Sequence, residues 1–236
     1  MFRKFIKSLL HRFGFDVVRY QHTLEWRQRA LFSHYNFDLI LDVGANAGQY
    51  AKQMRKLGYK GRIVSFEPLS SVYKELVYNA RRDPLWETRN IALGNYDGKV
   101  EINIAKNSVS SSILDILPCH IQADPESIYV GKEEITIKRI DSILDDYYHP
   151  GEKAYLKIDA QGYEKQIIEG AEAYWDRLIG IEMEVSLVSL YEDETLIAEM
   201  IGFMSDKGYT PMSFEPGFYN QETGQLLQVD CSFFRG

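Results

Sequence analysis

The chain has 236 residues, of which 45% are hydrophobic and 26% are charged, and its formal net charge is −7. This composition is typical of a folded globular protein and excludes a largely disordered chain. No apolar run reaches ~18 residues, so no membrane-spanning helix is predicted. Cys119 and Cys231 are the two cysteines, too few for a disulfide framework and without a CxxC zinc pair. We therefore expect a cytoplasmic protein.

The charge is divided unevenly along the chain. Residues 1–35 hold seven Lys or Arg and two Asp or Glu, so the remaining 201 residues carry a net charge of −12. Proteins that bind a nucleic-acid phosphate backbone carry clustered Lys and Arg side chains. The net negative charge of residues 36–236 therefore argues against a nucleic-acid partner.

The first 13 residues have the spacing of an amphipathic helix. Its apolar face is formed by Phe2, Phe5, Ile6, Leu9, Leu10 and Phe13. Two roles stay open: peripheral attachment to an anionic membrane surface, or packing against the chain's own domain or the second subunit of a homodimer. We divide the chain into an N-terminal helical extension, 1–35, and a main domain, 36–236.

From residue 37 onward, short apolar runs alternate with helical periods. Strands are predicted at 37–41, 62–66, 88–93, 100–105, 134–138, 154–158, 178–185, 209–214 and 226–234. Strands separated by helices form βαβ units, which predicts an α/β fold with a mostly parallel sheet and helices on both faces. Residues 106–132 show little periodicity, and we expect them to form a lid or a wall of the acceptor site.

A glycine-rich loop follows the first predicted strand. Asp42, Gly44, Asn46 and Gly48 give the pattern DxGxNxG, in which the glycines and Asn46 permit left-handed backbone. The GxGxxG pattern of dinucleotide sites is absent. An acid at the strand end suits a ligand that carries an ammonium group and no pyrophosphate, and S-adenosylmethionine (SAM) is such a ligand.

A second carboxylate ends the next strand. Glu67 lies 23 residues beyond Gly44, where nucleotide-binding folds place an acid that accepts hydrogen bonds from the ribose diol. Pro68 restricts the turn that follows. An oxidoreductase with a degenerate nucleotide loop is the alternative, but none of the 16 tyrosines has a Lys four residues on, as short-chain dehydrogenases require.

Four segments together resemble the FkbM-type SAM-dependent methyltransferases. They are residues 42–48, 66–68, 90–95 and 156–164, with weaker matches at Ser110–Ser112 and Ile181–Glu182. The resemblance spans about residues 38–185. It implies the seven-stranded sheet of class I methyltransferases and methyl transfer to a hydroxyl of a sugar, glycan or related metabolite, with S-adenosylhomocysteine as product. Many members have Asp-x-Glu-Gly where this chain has Gln161 before Gly162, and an amide is not a base.

Three carboxylates are candidates for the chemistry. Asp159 ends a core strand near the glycine loop, and we predict it to be the base or to orient the acceptor, supported by Glu182 or Glu164. Lys157 is expected to pair with an acid, and His120 is either a loop base or a solvated residue. Magnesium is used by some O-methyltransferases, but the sequence does not support a metal site.

The adenine is expected near the residues that follow the third strand, Ala92, Leu93 and Asn95. The sequence therefore predicts a SAM-dependent O-methyltransferase acting on a small molecule or glycan. A non-catalytic SAM- or nucleoside-binding module that docks at a membrane is the alternative from a different class.

Overall fold

A computed structural model describes residues 9–16 and 18–235, the side chain of His22 excepted. The chain divides into two compact units, 1–36 and 37–236, where the sequence predicted a boundary after residue 35. In the first unit, helix α1 (Leu24–Tyr35) begins where the Thr23 hydroxyl accepts the Trp26 amide at 3.3 Å and ends at Asn36 in left-handed backbone. The predicted amphipathic helix is helical at residues 9–12, and its first eight residues lie outside the described part.

The second unit is built on the predicted seven-stranded sheet. Its strands are β1 (Leu39–Val43), β2 (Arg62–Phe66), β3 (Trp86–Arg89), β7 (Ala154–Ile158), β8 (Leu178–Ser186), β9 (Thr210–Pro216) and β10 (Gln228–Phe234). They lie in the order β3-β2-β1-β7-β8-β10-β9. Strand β10 runs antiparallel to both of its neighbours, and the other pairs are parallel.

The central strands explain the apolar runs of the sequence. All five residues of β1 and all five of β7 are buried, as parallel strands covered on two sides require. Asp42 and Lys157 interrupt these runs and face each other in the β1–β7 register. The middle of the sheet therefore contains buried ionisable side chains, and these belong to the candidate functional site.

A smaller sheet contains the strands predicted at 100–105 and 134–138. It consists of β4 (Ala92–Leu93), β5 (Gly98–Ala105) and β6 (Tyr129–Lys138), in the order β4-β6-β5. The sequence was wrong to join residues 88–93 into one strand, because β3 ends at Arg89 and β4 pairs in the other sheet. Between β3 and β4, the Asn90 side chain donates to the carbonyls of Glu67 and Pro68, and these hydrogen bonds hold the turn that separates the two strands.

Helices connect these strands. They are α2 (Gln49–Lys56), α3 (Ser70–Ala80), α4 (Pro118–Ala123), α5 (Ile140–Ile143), α6 (Glu164–Glu169) and α7 (Ile197–Asp206). Short 3₁₀ turns lie at Tyr20–His22, Pro125–Ser127, Leu144–Asp146 and Glu172–Tyr174. None of the helices in the described ranges has the length and apolar character to cross a membrane.

Candidate functional site

The glycine loop after β1 adopts the backbone that its sequence predicts. Gly44, Asn46 and Gly48 have φ angles of 73°, 45° and 83°. A Cβ on Gly44 would lie 1.8 Å from the carbonyl oxygen of Asp159, and one on Gly48 would lie 2.5 Å from the Trp86 ring. The packing of the chain itself therefore requires both glycines, so ligand approach, the reason inferred from the sequence, is not needed to explain them.

Glu67 lies against this loop at the end of β2. Its Oε2 accepts the Asn46 amide at 2.9 Å, and its Oε1 accepts the Leu69 amide at 2.8 Å. Burial raises the pKa of Glu67 to about 7, although both amide hydrogen bonds favour the charged form. An ionised carboxylate has about four acceptor positions, so about two remain for the hydroxyls of a ribose. The arrangement fits the predicted role of Glu67, with Pro68 fixing the turn after it.

Asp42 lies deeper than the sequence suggested. The carboxylate is 1% exposed and accepts the Ser65 hydroxyl at 2.7 Å, and Ser65 in turn accepts the Trp86 indole nitrogen at 2.9 Å. Burial raises its pKa to about 6. These contacts tie β1 to β2 and β3 beneath the glycine loop, so Asp42 supports the loop from inside the sheet.

Asp159 is the accessible carboxylate at the end of β7, with 43% of its side chain exposed. Its amide donates to the Val43 carbonyl at 3.0 Å, which places it beside the glycine loop as predicted. Its Oδ1 accepts the Gln161 side-chain amide at 2.8 Å, and the same nitrogen donates to Glu184 Oε2 at 2.9 Å. The structure therefore brings Glu184, which the sequence did not single out, next to Asp159.

Glu182 lies two residues earlier on β8 and has other partners. It accepts the hydroxyls of Tyr155 at 2.6 Å and Tyr50 at 3.4 Å, and it faces Lys157 in the β7–β8 register. Because Lys157 pairs with Glu182 in this register, Asp159, two residues further along the chain, lies beside Glu184.

Glu164, the third predicted carboxylate, is buried at the start of α6. Its Oε1 accepts the amides of Ala160 at 3.0 Å and Gly162 at 3.2 Å, and burial raises its pKa to about 7. Glu164 therefore holds the loop that follows Asp159, and its catalytic role stays a prediction.

Lys157 is the buried cation of this region, and it pairs with an acid as predicted. Its ammonium lies 3.6 Å from Asp159 Oδ2 and donates to the Ile158 carbonyl at 3.2 Å. Burial opposes its charge, but the carboxylates of Asp159 and Glu182 outweigh burial and raise the pKa of Lys157. Lys157 is therefore charged and partly neutralises the acids around it.

The residues predicted to lie near the adenine have contacts within the chain, and their role stays a prediction. Ala92 and Leu93 are buried in β4, and the Asn95 side chain donates to Glu169 at 3.2 Å. Asn90 is the side chain that the structure places at the end of β3, hydrogen-bonded to the backbone around Glu67. The sequence could have indicated Asn90 as a site residue, because it is the first residue of the segment 90–95 that carries the family resemblance.

The segment predicted as a lid, 106–132, contacts both site loops. Ser108 Oγ accepts the Asn46 side-chain amide at 3.3 Å, and Ser112 Oγ donates to the Gln161 carbonyl at 2.7 Å. It contains α4 and the start of β6 and is more regular than its sequence suggested. Its place beside the glycine loop and the Asp159 loop is consistent with an acceptor wall.

His120 is neither solvated nor placed as a loop base. It is 3% exposed within α4, with its ring packed against Tyr191 and Phe218, and burial lowers its pKa to about 4. His120 is therefore a neutral part of a small apolar cluster. Across residues 9–16 and 18–235, no three His, Cys, Asp or Glu side chains are grouped as a metal site.

The methyltransferase FkbM domain model matches residues 42–211, which is most of the chain. The chain belongs to the FkbM methyltransferase family. A curated relative, methyltransferase sdnD of Sordaria araneosa, is 23% identical over 199 residues, covering 72% of this chain and 73% of the relative. S-adenosylmethionine, which the glycine loop and Glu67 already suggested, is thus the cofactor of this methyltransferase.

Solved structures agree with the fold. A Klebsiella pneumoniae protein described as a "putative O-methyltransferase" matches with a TM-score of 0.51 at 12% identity, covering 99% of this chain and 89% of that one. The Burkholderia thailandensis 1,6-didemethyltoxoflavin-N1-methyltransferase, solved with S-adenosylhomocysteine, gives a TM-score of 0.46 at 12% identity, with coverage of 100% and 88%. The strand order and the match to the Klebsiella pneumoniae protein confirm the seven-stranded class I sheet predicted from the sequence.

Proposed function

We propose that this methyltransferase transfers the methyl group of SAM to a neutral hydroxyl, on a sugar, a glycan or a related small metabolite. The observation that carries the proposal is the position of Asp159, an accessible carboxylate at the end of β7 beside the glycine loop. A hydroxyl is a weak nucleophile, and a carboxylate within hydrogen-bond reach assists it by accepting its proton.

The charges around Asp159 support a neutral acceptor. Glu184 from β8 and Asp230 from β10 lie close enough to influence each other's ionisation, with Lys157 as the cation among them. The Asp159 carboxylate would repel a phosphate or carboxylate on the acceptor, whereas a hydroxyl group donates a hydrogen bond to it. The acidic surroundings therefore favour a polyhydroxylated acceptor over an anionic one.

The cofactor would be held by the glycine loop and Glu67. When bound, SAM supplies a methyl group on a positively charged sulfur, and S-adenosylhomocysteine remains after the transfer. Asp159 accepts the proton of the acceptor hydroxyl, and its exposed side returns that proton to water. The segment 106–132 covers the reaction from the side of Ser108 and Ser112.

Calorimetric titration with SAM, S-adenosylhomocysteine and NADH tests the cofactor site. The two adenosyl ligands should bind, and Glu67→Ala should weaken both by ~1–3 kcal/mol through the lost hydrogen bonds. Heat from NADH alone would favour the oxidoreductase alternative.

Release of S-adenosylhomocysteine with a panel of neutral and phosphorylated sugars tests the acceptor. Turnover by the wild type that Asp159→Asn abolishes, with SAM affinity retained, is the expected result. Turnover of the phosphorylated members alone would contradict a neutral acceptor, and SAM binding without turnover would favour the non-catalytic module.

We further propose that the N-terminal unit contacts an anionic membrane surface. Phe13 and Phe15 are 71% and 65% exposed, and residues 1–35 carry a net charge of +5. The protein should sediment with anionic liposomes, and deletion of residues 1–20 should abolish this. Equal sedimentation of both forms would exclude the contact, and a smaller mass in solution after deletion would point to a homodimer.

A further inference from the structure

Gln161 has a backbone conformation that glutamine rarely adopts. Its φ is 53°, in the left-handed region, and Gly162 follows with a φ of 95°. Such strain in a residue other than Gly, Asn or Asp persists only where the surroundings impose it, and it concentrates at functional sites. Here the Gln161 carbonyl accepts the Ser112 hydroxyl at 2.7 Å, which holds the loop from the side of the segment 106–132.

The strained backbone places the Gln161 side chain between two carboxyl groups. Its Nε2 donates to Asp159 Oδ1 at 2.8 Å and to Glu184 Oε2 at 2.9 Å, and its Oε1 accepts the Tyr191 hydroxyl at 2.7 Å. The opposite orientation of the amide would set its oxygen against two carboxyl groups, so the contacts fix which end is the nitrogen. One amide therefore joins the ends of β7 and β8.

The two carboxyl groups have different surroundings. Glu184 is enclosed, and burial together with the charges of Asp159 and Asp230 raises its pKa well above the ordinary value, against the lowering effect of Lys157. Glu164 on α6 also faces it and acts in the same direction as Asp159. Asp159 has 43% of its side chain exposed, with Lys157 at 3.6 Å. Of the two, Asp159 is the carboxyl group that an acceptor can reach.

We propose that Gln161 is a positioning residue for the methyl transfer: its amide, held by Tyr191 and by a strained backbone, fixes the Asp159 carboxylate beside Glu184 and presents it to the acceptor. This role rests on the proposed function. In the transfer, the acceptor O–H bond breaks and its proton passes to Asp159, while an O–C bond forms and the C–S bond of the methyl donor breaks.

The test compares Gln161→Gly and Tyr191→Phe with the wild type by carboxyl ¹³C NMR titration. The resonances lost in Asp159→Asn and Glu184→Gln assign the pair. Removing the amide donor should raise the titration midpoint of Asp159 in Gln161→Gly relative to the wild type. Tyr191→Phe should move it by a smaller amount in the same direction. Glycine also relieves the left-handed strain, which offsets part of the stability lost with the three side-chain hydrogen bonds of Gln161, so Gln161→Gly should still fold.

Tyr209→Phe is the matched structural control. The Tyr209 hydroxyl is buried and donates to the carbonyls of Leu178 at 2.6 Å and Trp175 at 3.1 Å, away from the pair. Its loss should lower the melting temperature and leave the Asp159 titration unchanged. If Gln161→Gly does not fold, Gln161→Asn keeps a residue that tolerates left-handed backbone and shortens the side chain by one methylene group.

An Asp159 midpoint that is the same in wild type, Gln161→Gly and Tyr191→Phe would overturn the proposal and leave Gln161 a structural residue. A melting temperature of Gln161→Gly as low as that of Tyr209→Phe, with an unmoved midpoint, would do the same. These readouts need no acceptor. Failure of the wild type to bind SAM would instead contradict the proposed function. The failure of the proposed function can therefore be distinguished from the failure of the role proposed for Gln161.

Discussion

Binding of SAM should weaken as the pH falls, because Glu67 must be ionised to accept hydrogen bonds from the ribose. Burial raises the pKa of Glu67 to about 7, so most of it is charged at about pH 8 and about a tenth at about pH 6. The dissociation constant should therefore rise about tenfold over this range, which corresponds to ~1.4 kcal/mol. Burial raises the pKa of Asp42 to about 6, so Asp42 has little influence over most of the range.

Calorimetry across this pH range measures the effect directly. Titrations in buffers of different ionisation enthalpy should show release of close to one proton on binding at about pH 6. Glu67→Gln should bind weakly and with little pH dependence. Glu164→Gln is the matched control, because burial also raises the pKa of Glu164 to about 7 but its partners are the amides of Ala160 and Gly162. A dissociation constant that is constant from about pH 6 to about pH 8, or a tenfold change that persists in Glu67→Gln, would refute the reasoning.

Three further predictions concern stability, each measured by urea unfolding. A carboxyl group whose pKa is raised on folding stabilises the protein below its unfolded pKa and loses that contribution as the pH rises through its folded pKa. The free energy of unfolding should therefore fall by about 1 kcal/mol for each of Glu67 and Glu164 between about pH 6 and about pH 8. A gain in stability over that range would contradict this. Gly44→Ala should lower the free energy of unfolding by about 3 kcal/mol or more, because the new Cβ would clash with the Asp159 carbonyl in left-handed backbone. Gly202→Ala in the open middle of α7 should raise it by ~0.5–1 kcal/mol. Similar effects of the two changes would argue against the clash at Gly44. Lys157→Met should destabilise by ~3–5 kcal/mol near neutral pH. The loss should be smaller at about pH 5, because burial raises the pKa of Glu182, Glu184 and Asp230 and these acids therefore take up protons more readily as the pH falls. An equal loss at both pH values would show that Lys157 does not compensate them.

The local part of the site could be predicted from the sequence. The strands at 62–66 and 154–158 were located to the residue, because a short apolar run between a turn and a helix start is a local signal. The left-handed Asn46 and the position of Glu67 at the end of β2 follow from the same kind of signal. Family membership could also be recognised, since its motifs lie in short continuous segments.

The partners of the buried charges could not be predicted. That Asn90 turns the chain at Glu67, and that Asp42 lies beneath the loop with Ser65, depends on strands 20 or more residues apart meeting in one sheet. The reasons for Gly44 and Gly48 likewise lie in other segments, the Asp159 carbonyl and the Trp86 ring.

The sequence by itself determined the order of strands and helices, the glycine loop and the carboxylates at the strand ends, because each of these is encoded in neighbouring residues. Only the tertiary structure decided that Glu184, and not Glu182, stands beside Asp159. The register of β7 against β8 makes that choice, because Glu182 and Glu184 share one face of β8 and a shift of two residues would exchange them. Register is set by the packing of the whole sheet, so no segment of the sequence contains it.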